Sequence, residues 1–232
     1  GKFIWWELGE GGEHLSLWST LGMTGGFATE PSAHARLELE LARAGRAWRL
    51  YYNDQRNFGT ITVCADAGAL SAKLGSLGPS WAEGLGLDQF RDVVRRQCAS
   101  ARGRRVPVAR VLMDQSKTSG IGNYVLSETL YLARVHPWAT CADLDDDDWA
   151  AVHAAATDVI GRSYASQAAL AAAERVCATR GRMQFKLYAY RRRVDDEGLA
   201  VEQAVGPHGR SVFWAPQRQT RGAPPEPSGA AS

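Results

Sequence analysis

The sequence predicts an α+β protein with an incomplete antiparallel β-sandwich at the N-terminus, a helical domain in the middle and a β-hairpin at the C-terminus. Leucines alternate with glutamates from Leu37 to Leu41, and comparable runs recur between residues 2 and 64, as in half-buried strands. Apolar residues then recur at helical spacing from Asp88 to Ile160. Finally, two short apolar runs flank a turn at residues 206–210, which indicates a hairpin.

The composition is that of a folded chain with no extreme charge. With 232 residues, of which 45% are hydrophobic, the chain can bury one or two cores. A net charge of +2 does not by itself indicate nucleic-acid binding. Basic residues are nevertheless concentrated at residues 91–105 and 180–193, and acidic residues at 143–148. Because charge runs are usually solvated surfaces, this clustering supports a DNA-binding surface without establishing one.

The four cysteines lie far apart in the chain, at Cys64, Cys98, Cys141 and Cys177, and none belongs to a C-x-x-C pair. This spacing predicts neither a metal site nor a disulfide framework, and scattered thiols fit a reducing, intracellular compartment. No apolar run reaches the length of a membrane span. We therefore expect no metal, no cofactor and no membrane partner.

The N-terminal β-sandwich is expected to occupy residues 1–74. Its strands are expected at residues 1–8, 14–18, 35–41, 47–52 and 60–64. Ala44-Gly45 provides a plausible turn between two of them. Because a strong strand begins at Lys2 without a start methionine before it, we expect the native N-terminus to be missing.

A segment rich in glycine, residues 75–87, is expected to be the linker to a helical domain at 88–184. A helix opens at Asp88 and ends before Gly103. Another, at Asp146–Ile160, carries acidic residues in its first turn, where the helix dipole favours them. A short alanine-rich helix is expected at Ala168–Cys177.

Between these helices, residues 107–138 predict a helical hairpin with an informative loop. Pro107 suits the first position of one helix, Asn123 suits the N-cap of the next, and His136-Pro137 should end it. Gly120 and Gly122 permit unusual backbone and close approach of another chain. Free N–H groups at the second helix would attract phosphate, and the Asn123 amide could bind a phosphate oxygen. On spacing alone, an ordinary hairpin in which Asn123 merely caps is the better interpretation.

The last ordered piece is expected at residues 185–219. A turn at Asp195–Gly198 precedes strands at Ala200–Val205 and Ser211–Trp214. A hairpin of this size is not stable alone, and it contains no cysteine that could bind zinc. The tail at 220–232, rich in Gly, Pro, Ala and Ser, is expected to be disordered.

The residue types of the helical hairpin at 107–138 resemble a known module, which their spacing alone does not indicate. They are Asp114-Gln115, Gly120-Ile121-Gly122-Asn123-Tyr124, Glu128, Leu130-Tyr131, Ala133 and His136-Pro137. This ordered set resembles the helix-two-turn-helix module of the formamidopyrimidine-DNA glycosylase/endonuclease VIII family. The resemblance implies that Asn123 and the adjacent loop grip the DNA backbone beside a lesion. The C-terminal hairpin resembles the family's zincless finger, with Arg210 where the finger arginine reaches a phosphate.

Two loops of the N-terminal half resemble the family's void-filling loops. Residues 21–26 carry Met23 among glycines, and residues 53–59 carry Arg56 and Phe58. The resemblance implies that these three side chains fill the gap left when a base leaves the stack. Without this resemblance, the better interpretation is that Met23 and Phe58 cover a core and that Arg56 is solvated. Asn57 departs from the arginine often found at its position.

The resemblance implies DNA repair by a bifunctional glycosylase/AP lyase that excises formamidopyrimidines, 8-oxoguanine or oxidised pyrimidines and nicks abasic sites by β-elimination. Its partner would be damaged double-stranded DNA, and the protein a monomer in the nucleus, nucleoid or a DNA-containing organelle. Residues 1–8 resemble the family's strand that begins just after a characteristic lysine, which implies that Lys2 contacts a phosphate; a frayed terminal lysine is the alternative. The family's nucleophile, an N-terminal proline followed by a glutamate, is not present before this strand. We therefore expect this chain to be inactive. A non-catalytic nucleic-acid-binding protein and a plain two-domain scaffold remain alternatives.

Overall fold

The computed structural model describes residues 2–9, 15–21, 25–174 and 185–223. The chain divides into two compact units, one of Gly1–Ser76 with Tyr164–Gln184 and one of Leu77–Ser163 with Phe185–Ser232. The strands are β1 (Lys2–Leu8), β2 (Leu15–Leu21), β3 (Gly26–Ala28), β4 (Ala35–Arg43), β5 (Arg46–Asn53), β6 (Thr60–Cys64), β7 (Glu202–Val205) and β8 (Ser211–Trp214). The α-helices are α1 (Ala67–Gly75), α2 (Leu87–Cys98), α3 (Ala101–Arg104), α4 (Val108–Met113), α5 (Asn123–Leu132) and α6 (Asp146–Glu174). Two single 3₁₀ turns lie at Trp81–Glu83 and Cys141–Asp143.

The first unit contains two three-stranded antiparallel sheets, in the orders β1-β2-β6 and β3-β5-β4. Their inner faces meet through aromatic rings, because Trp6 of one sheet lies edge-on to Phe27 of the other at 4.6 Å. Phe27 also contacts Tyr52 at 5.2 Å, and both are buried. The α+β class and the antiparallel sandwich are therefore confirmed.

Two elements of this unit were not expected. β3 has only three residues and pairs with β5; the sequence predicted a loop at residues 21–26 and no strand directly after it. α1 follows the last strand, and the Asp66 side chain caps it by accepting a hydrogen bond from Gly68 N at 2.8 Å. Only Leu70 of this helix is buried, so its apolar pattern was too weak to indicate a helix.

The core of the second unit is formed by α2, α4, α5 and α6, with Phe90, Leu112 and Leu126 almost wholly buried. The expected linker contributes to this core. Trp81 is 5% exposed and its ring lies 5.2 Å from Phe90. Glycine and proline correctly indicated an irregular backbone. Because Trp81 packs into the helical core, however, residues from Leu77 onward belong to the second unit.

Helix ends differ from expectation for identifiable reasons. Pro107 is the N-cap of α4 rather than its first residue. α5 ends at Leu132, before His136-Pro137, because Arg134 adopts a left-handed conformation with φ 58°. Val135 N then donates to Leu130 O at 3.0 Å, which closes a Schellman motif.

The two helices expected at 146–160 and 168–177 are one helix of 29 residues, α6. Gly161 lies inside it at an open position, where an added Cβ would meet nothing within 4 Å among the described residues. An internal glycine disfavours a helix by only about 1 kcal/mol. Residues 175–177 of the expected second helix lie outside the described part of the chain.

β7 and β8 form the expected antiparallel hairpin, although β7 begins at residue 202 rather than 200. Aromatic packing attaches the hairpin to the helical core: Phe213 lies 5.1 Å from Tyr190, and Trp214 lies 5.0 Å from Trp138. The expected disorder from residue 220 is wrong at its start. Arg221 forms a parallel bridge with Val135 and extends the ordered chain to residue 223, whereas residues 224–232 lie outside the description.

Asp195 gives the turn before the hairpin a pH-dependent contribution to stability. It is 3% exposed and accepts hydrogen bonds from Glu197 N and Leu199 N at 2.9 Å and from the Tyr131 hydroxyl at 3.0 Å. Burial opposes its ionisation, but the hydrogen bonds from Leu199, Tyr131 and Glu197 outweigh burial and lower the pKa of Asp195.

A group whose pKa is lower in the folded state stabilises the protein above its unfolded pKa, and this contribution disappears as pH falls through the folded pKa. We therefore expect Asp195→Asn to destabilise the protein at neutral pH and to converge with the unmodified protein from about pH 4 downward. Urea unfolding of both proteins across acidic pH measures this. A constant difference across the series would show that charge plays no part.

Candidate nucleic-acid interface

The loop between α4 and α5 is held by the side chain of Gln115. Its Oε1 accepts from Gly120 N at 3.0 Å, and its Nε2 donates to Ile121 O at 3.1 Å. Gly120 has φ +117°, which side-chain-bearing residues rarely adopt. Gly122 differs from expectation, since its backbone is extended and any residue could adopt it. What Gly122 provides is open space, because a Cβ added there would meet nothing within 4 Å in the described part of the chain.

Asn123 does not cap α5, contrary to the ordinary interpretation of the hairpin. Gly122 is the N-cap, and the Asn123 side chain turns toward the C-terminal hairpin. Its Nδ2 donates to Ser211 O at 2.7 Å, and its Oδ1 lies 3.1 Å from His208 Nε2. No side chain in the described chain caps α5, so the first backbone N–H groups of this helix remain available to an anion.

Arg210 lies at the hairpin turn and is exposed. The turn is closed by Gly206 N, which donates to Arg210 O at 2.8 Å, and by Gly209 at φ +78°. Within the described ranges, no carboxylate forms an ion pair with Arg210. Arg210 directly precedes Ser211, the residue bound by Asn123, so the fold brings to one place two residues that are far apart in sequence.

The arginine-rich stretches of the sequence are partly neutralised by their own neighbours. Arg95 pairs with Asp92 one helical turn away. Asp196 binds both Arg192, at 2.8 Å, and Lys186, at 2.5 Å. Sequence clustering therefore overstated the free positive charge of these regions. Two further basic residues of the second stretch, Arg180 and Arg182, lie outside the described residues.

In the first unit, Asp54 shapes the loop that follows β5. It is 1% exposed and accepts from Gly59 N at 2.7 Å and from Arg56 N at 3.2 Å. The Gly59 bond is the main cause of the lowered pKa of Asp54. A Cβ at Gly59 would lie 1.8 Å from the Tyr52 hydroxyl, so only glycine fits this turn.

This loop presents its aromatic residue to solvent. Phe58 is 69% exposed, and the Arg56 guanidinium lies 5.0 Å from its ring centroid. Phe58 therefore does not cap a core in this structure. Met23 lies outside the described residues. Lys2 is the first residue of β1 and pairs with Leu21, with its side chain outside the description.

The sequence assigned no structural role to the residues that fasten the β-hairpin to the helices. Glu128 is 1% exposed and accepts from the backbone N–H groups of Tyr188, Ala189 and Tyr190 at 2.7, 2.8 and 2.8 Å. Gln219, wholly buried, donates to Val135 O at 2.9 Å and accepts from Ala215 N at 2.8 Å. A glutamate among buried apolar positions of a helix was the one available signal, because such a charge requires compensation.

Among the described residues, no group of three or more His, Cys, Asp or Glu side chains is placed to hold a metal ion. The described helices include none that is both long and apolar enough to cross a bilayer.

Two family models match the chain. They are described as the formamidopyrimidine-DNA glycosylase N-terminal domain, at residues 1–61, and the formamidopyrimidine-DNA glycosylase H2TH domain, at residues 83–172. The formamidopyrimidine-DNA glycosylase of Deinococcus radiodurans is 36% identical over 133 residues, which are 57% of this chain and 44% of that protein. That of Thermus thermophilus is 33% identical over 166 residues, 70% of this chain and 57% of the relative. The chain thus spans about half the length of the curated relatives it matches.

Solved structures resemble the fold over nearly the whole chain. The MutM (Fpg) protein from Thermus thermophilus has a TM-score of 0.73 and 25% identity, covering 96% of this chain and 81% of that one. A complex between Lactococcus lactis Fpg and DNA containing an abasic site has a TM-score of 0.69 and 22% identity, covering 89% and 75%.

Proposed function

Because this chain belongs to the formamidopyrimidine-DNA glycosylase family, we propose that the protein repairs DNA by recognising damaged double-stranded DNA and excising oxidised bases. The observation that carries the proposal is the junction of Asn123 with the hairpin turn at Arg210. It joins the uncapped start of α5, a polar amide and an exposed arginine in one place, in a unit that also contains most of the H2TH match.

These groups suit a phosphate of the DNA backbone. The first N–H groups of α5 point out of the helix and carry the positive end of its dipole. Asn123 keeps one Nδ2–H after its bond to Ser211. Arg210 adds a charged fork that can bind two oxygens at once. Such contacts fix the position of the protein on the duplex rather than reading its sequence.

The loop that follows β5 in the first unit is proposed to fill the gap left by the extruded base. Phe58 presents an exposed ring and Arg56 a cation beside it. Apolar and aromatic wedges that enter a base step compensate for the unstacking that base extrusion requires. Met23 is proposed for the same role on the basis of the family resemblance alone.

The proposed chemistry is that of a bifunctional glycosylase/AP lyase. A secondary amine attacks the sugar C1′, expels the base and leaves a Schiff base, from which β-elimination cleaves the strand. No residue of this sequence corresponds to the family's N-terminal proline and its following glutamate. Because that nucleophile is missing, these 232 residues should bind DNA without forming a covalent adduct. Lys2 is proposed to contact a phosphate. The hairpin, with no cysteine, is proposed to be a zincless finger, and the protein to act as a monomer.

The proposal is tested by fluorescence anisotropy with a duplex that contains a tetrahydrofuran abasic-site analogue and with the same duplex undamaged. We expect tighter binding to the damaged duplex and an affinity that falls as salt rises, because phosphate contacts release counterions. Binding that is independent of salt and of damage would refute the proposal, and absence of binding to either duplex would favour a plain scaffold.

Borohydride trapping on DNA with a natural abasic site tests the chemistry separately. We expect no adduct with the present sequence and an adduct once the family's N-terminal segment, beginning Pro-Glu, is joined to it. A joined protein that binds damaged DNA but never traps it would favour the alternative, a non-catalytic nucleic-acid-binding protein.

A further inference from the structure

His208 occupies a space that the hairpin turn leaves open for its ring. A Cβ placed on Gly206 would lie 2.9 Å from His208 Cε1 and 3.0 Å from its Nδ1. A side chain at residue 206 would therefore displace the imidazole, and glycine at this position is explained by packing rather than by its backbone angles. The ring is half-buried, whereas the next two residues, Gly209 and Arg210, are exposed.

The contacts of Asn123 define which atom of its amide faces which partner. The Ser211 carbonyl can only accept, so the atom 2.7 Å from it must be the Asn123 NH₂ group. The amide oxygen therefore faces His208, and His208 Nε2, at 3.1 Å, must carry the hydrogen of this bond. His208 Nδ1 is buried and has no hydrogen-bond partner in the described residues, as fits an unprotonated nitrogen.

The surroundings favour this neutral form. Burial is the larger cause, and the positive charge of Arg210 the smaller, of a pKa of His208 below its ordinary value. At neutral pH the imidazole is therefore a fixed single donor to Asn123 rather than a second cation beside Arg210.

We propose that His208 is a positioning residue for the DNA backbone, which holds the Asn123 amide so that its one remaining N–H faces a phosphate oxygen beside Arg210. The inference rests on the function proposed above. Without His208, the terminal amide of Asn123 has a broad torsional range and can turn its oxygen toward the phosphate. Two partners on opposite ends of the amide exclude that orientation.

A double-mutant cycle tests this coupling with the abasic-analogue duplex. Because an unrestrained side chain must be ordered on binding, we expect His208→Ala to weaken binding by about 3- to 10-fold. In the Asn123→Ala background the same substitution should change binding by less than about 2-fold, since the residue it positions is gone. His208→Gln retains a donor of similar reach and should restore part of the affinity. Val205→Ala, at an exposed position of the same hairpin, is the matched control.

Salt dependence separates positioning from direct contact. His208→Ala should leave the slope of log K against log salt unchanged, whereas Arg210→Ala should reduce its magnitude by about 1. A smaller slope for His208→Ala would mean that the imidazole itself binds phosphate as a cation, which would overturn the inference. Equal losses for His208→Ala in both backgrounds, or no loss in either, would also overturn it.

A readout without DNA distinguishes this failure from failure of the proposed function. In ¹⁵N NMR spectra, the Asn123 side-chain NH₂ pair, assigned by its loss in Asn123→Ala, should be well dispersed in the unmodified protein and in His208→Gln. It should move toward random-coil positions in His208→Ala. Unaltered Asn123 signals in His208→Ala would refute the positioning role. Absent DNA binding with the expected NMR shift would instead refute the proposed function.

Discussion

Replacing Glu128 with alanine is expected to lower the free energy of unfolding by about 3–5 kcal/mol, as when one partner of a buried charged network is removed. Its carboxylate is 1% exposed and is satisfied by three backbone N–H groups, those of Tyr188, Ala189 and Tyr190. Removing the acceptor leaves three donors without this partner, of which the one at Ala189 is buried, and each unsatisfied buried donor costs about 1–3 kcal/mol. The segment that leads into the hairpin then loses these three hydrogen bonds to α5.

Urea unfolding followed by tryptophan fluorescence measures this loss. Glu83→Ala is the matched control, because Glu83 is an exposed glutamate of the same unit. Glu128→Gln keeps one acceptor and should be destabilised less than Glu128→Ala, so it provides a measurement even where the alanine variant does not fold. If Glu128→Ala and Glu83→Ala had equal effects, the carboxylate would not be what holds the segment.

The second large effect is expected on DNA binding. Asn123→Ala and Arg210→Ala should each weaken binding to the abasic-analogue duplex by about 10- to 100-fold, the range for hydrogen bonds to charged groups. Arg210 is exposed and pairs with no carboxylate in the described chain, so its removal should leave stability unchanged. Asn123→Ala also removes the bond to Ser211 O, and we expect a decrease in stability of about 1 kcal/mol.

Anisotropy titrations at two salt concentrations measure both effects. Arg102→Ala is the control for charge, because Arg102 is an exposed arginine of the arginine-rich stretch at residues 91–105. It should weaken binding much less than Arg210→Ala, since the proposed grip depends on position rather than on net charge. If affinity were unchanged in both Asn123→Ala and Arg210→Ala, there would be no phosphate grip at this junction.

Local pattern was enough to determine much of the fold. β6 and β8 begin and end where alternation placed them, at Thr60–Cys64 and Ser211–Trp214. Ala44 and Gly45 both adopt positive φ, 50° and 74°, in the expected turn between β4 and β5. These features follow from side-chain periodicity and backbone preference over a few residues, which the sequence displays directly.

Elements with weak local signals were misjudged. The three-residue β3 exists because β5 offers it an edge, and the residues expected as a linker are fixed by Trp81 in a core that lies elsewhere in sequence. In both cases a distant partner decided the conformation, and no window of neighbouring residues contains that information.

For the site, the sequence by itself determined the residue types and their order: a glycine-containing loop, Asn123 after it, and Arg210 at a turn. The tertiary structure decided what those residues do. It turned Asn123 away from capping and toward Ser211, 88 residues later, and placed His208 against its amide oxygen. The reason is that a hydrogen bond depends on distance and direction in space. Packing around Glu128 and Trp214 brings these segments together, and the local sequence pattern of one segment does not indicate its partner.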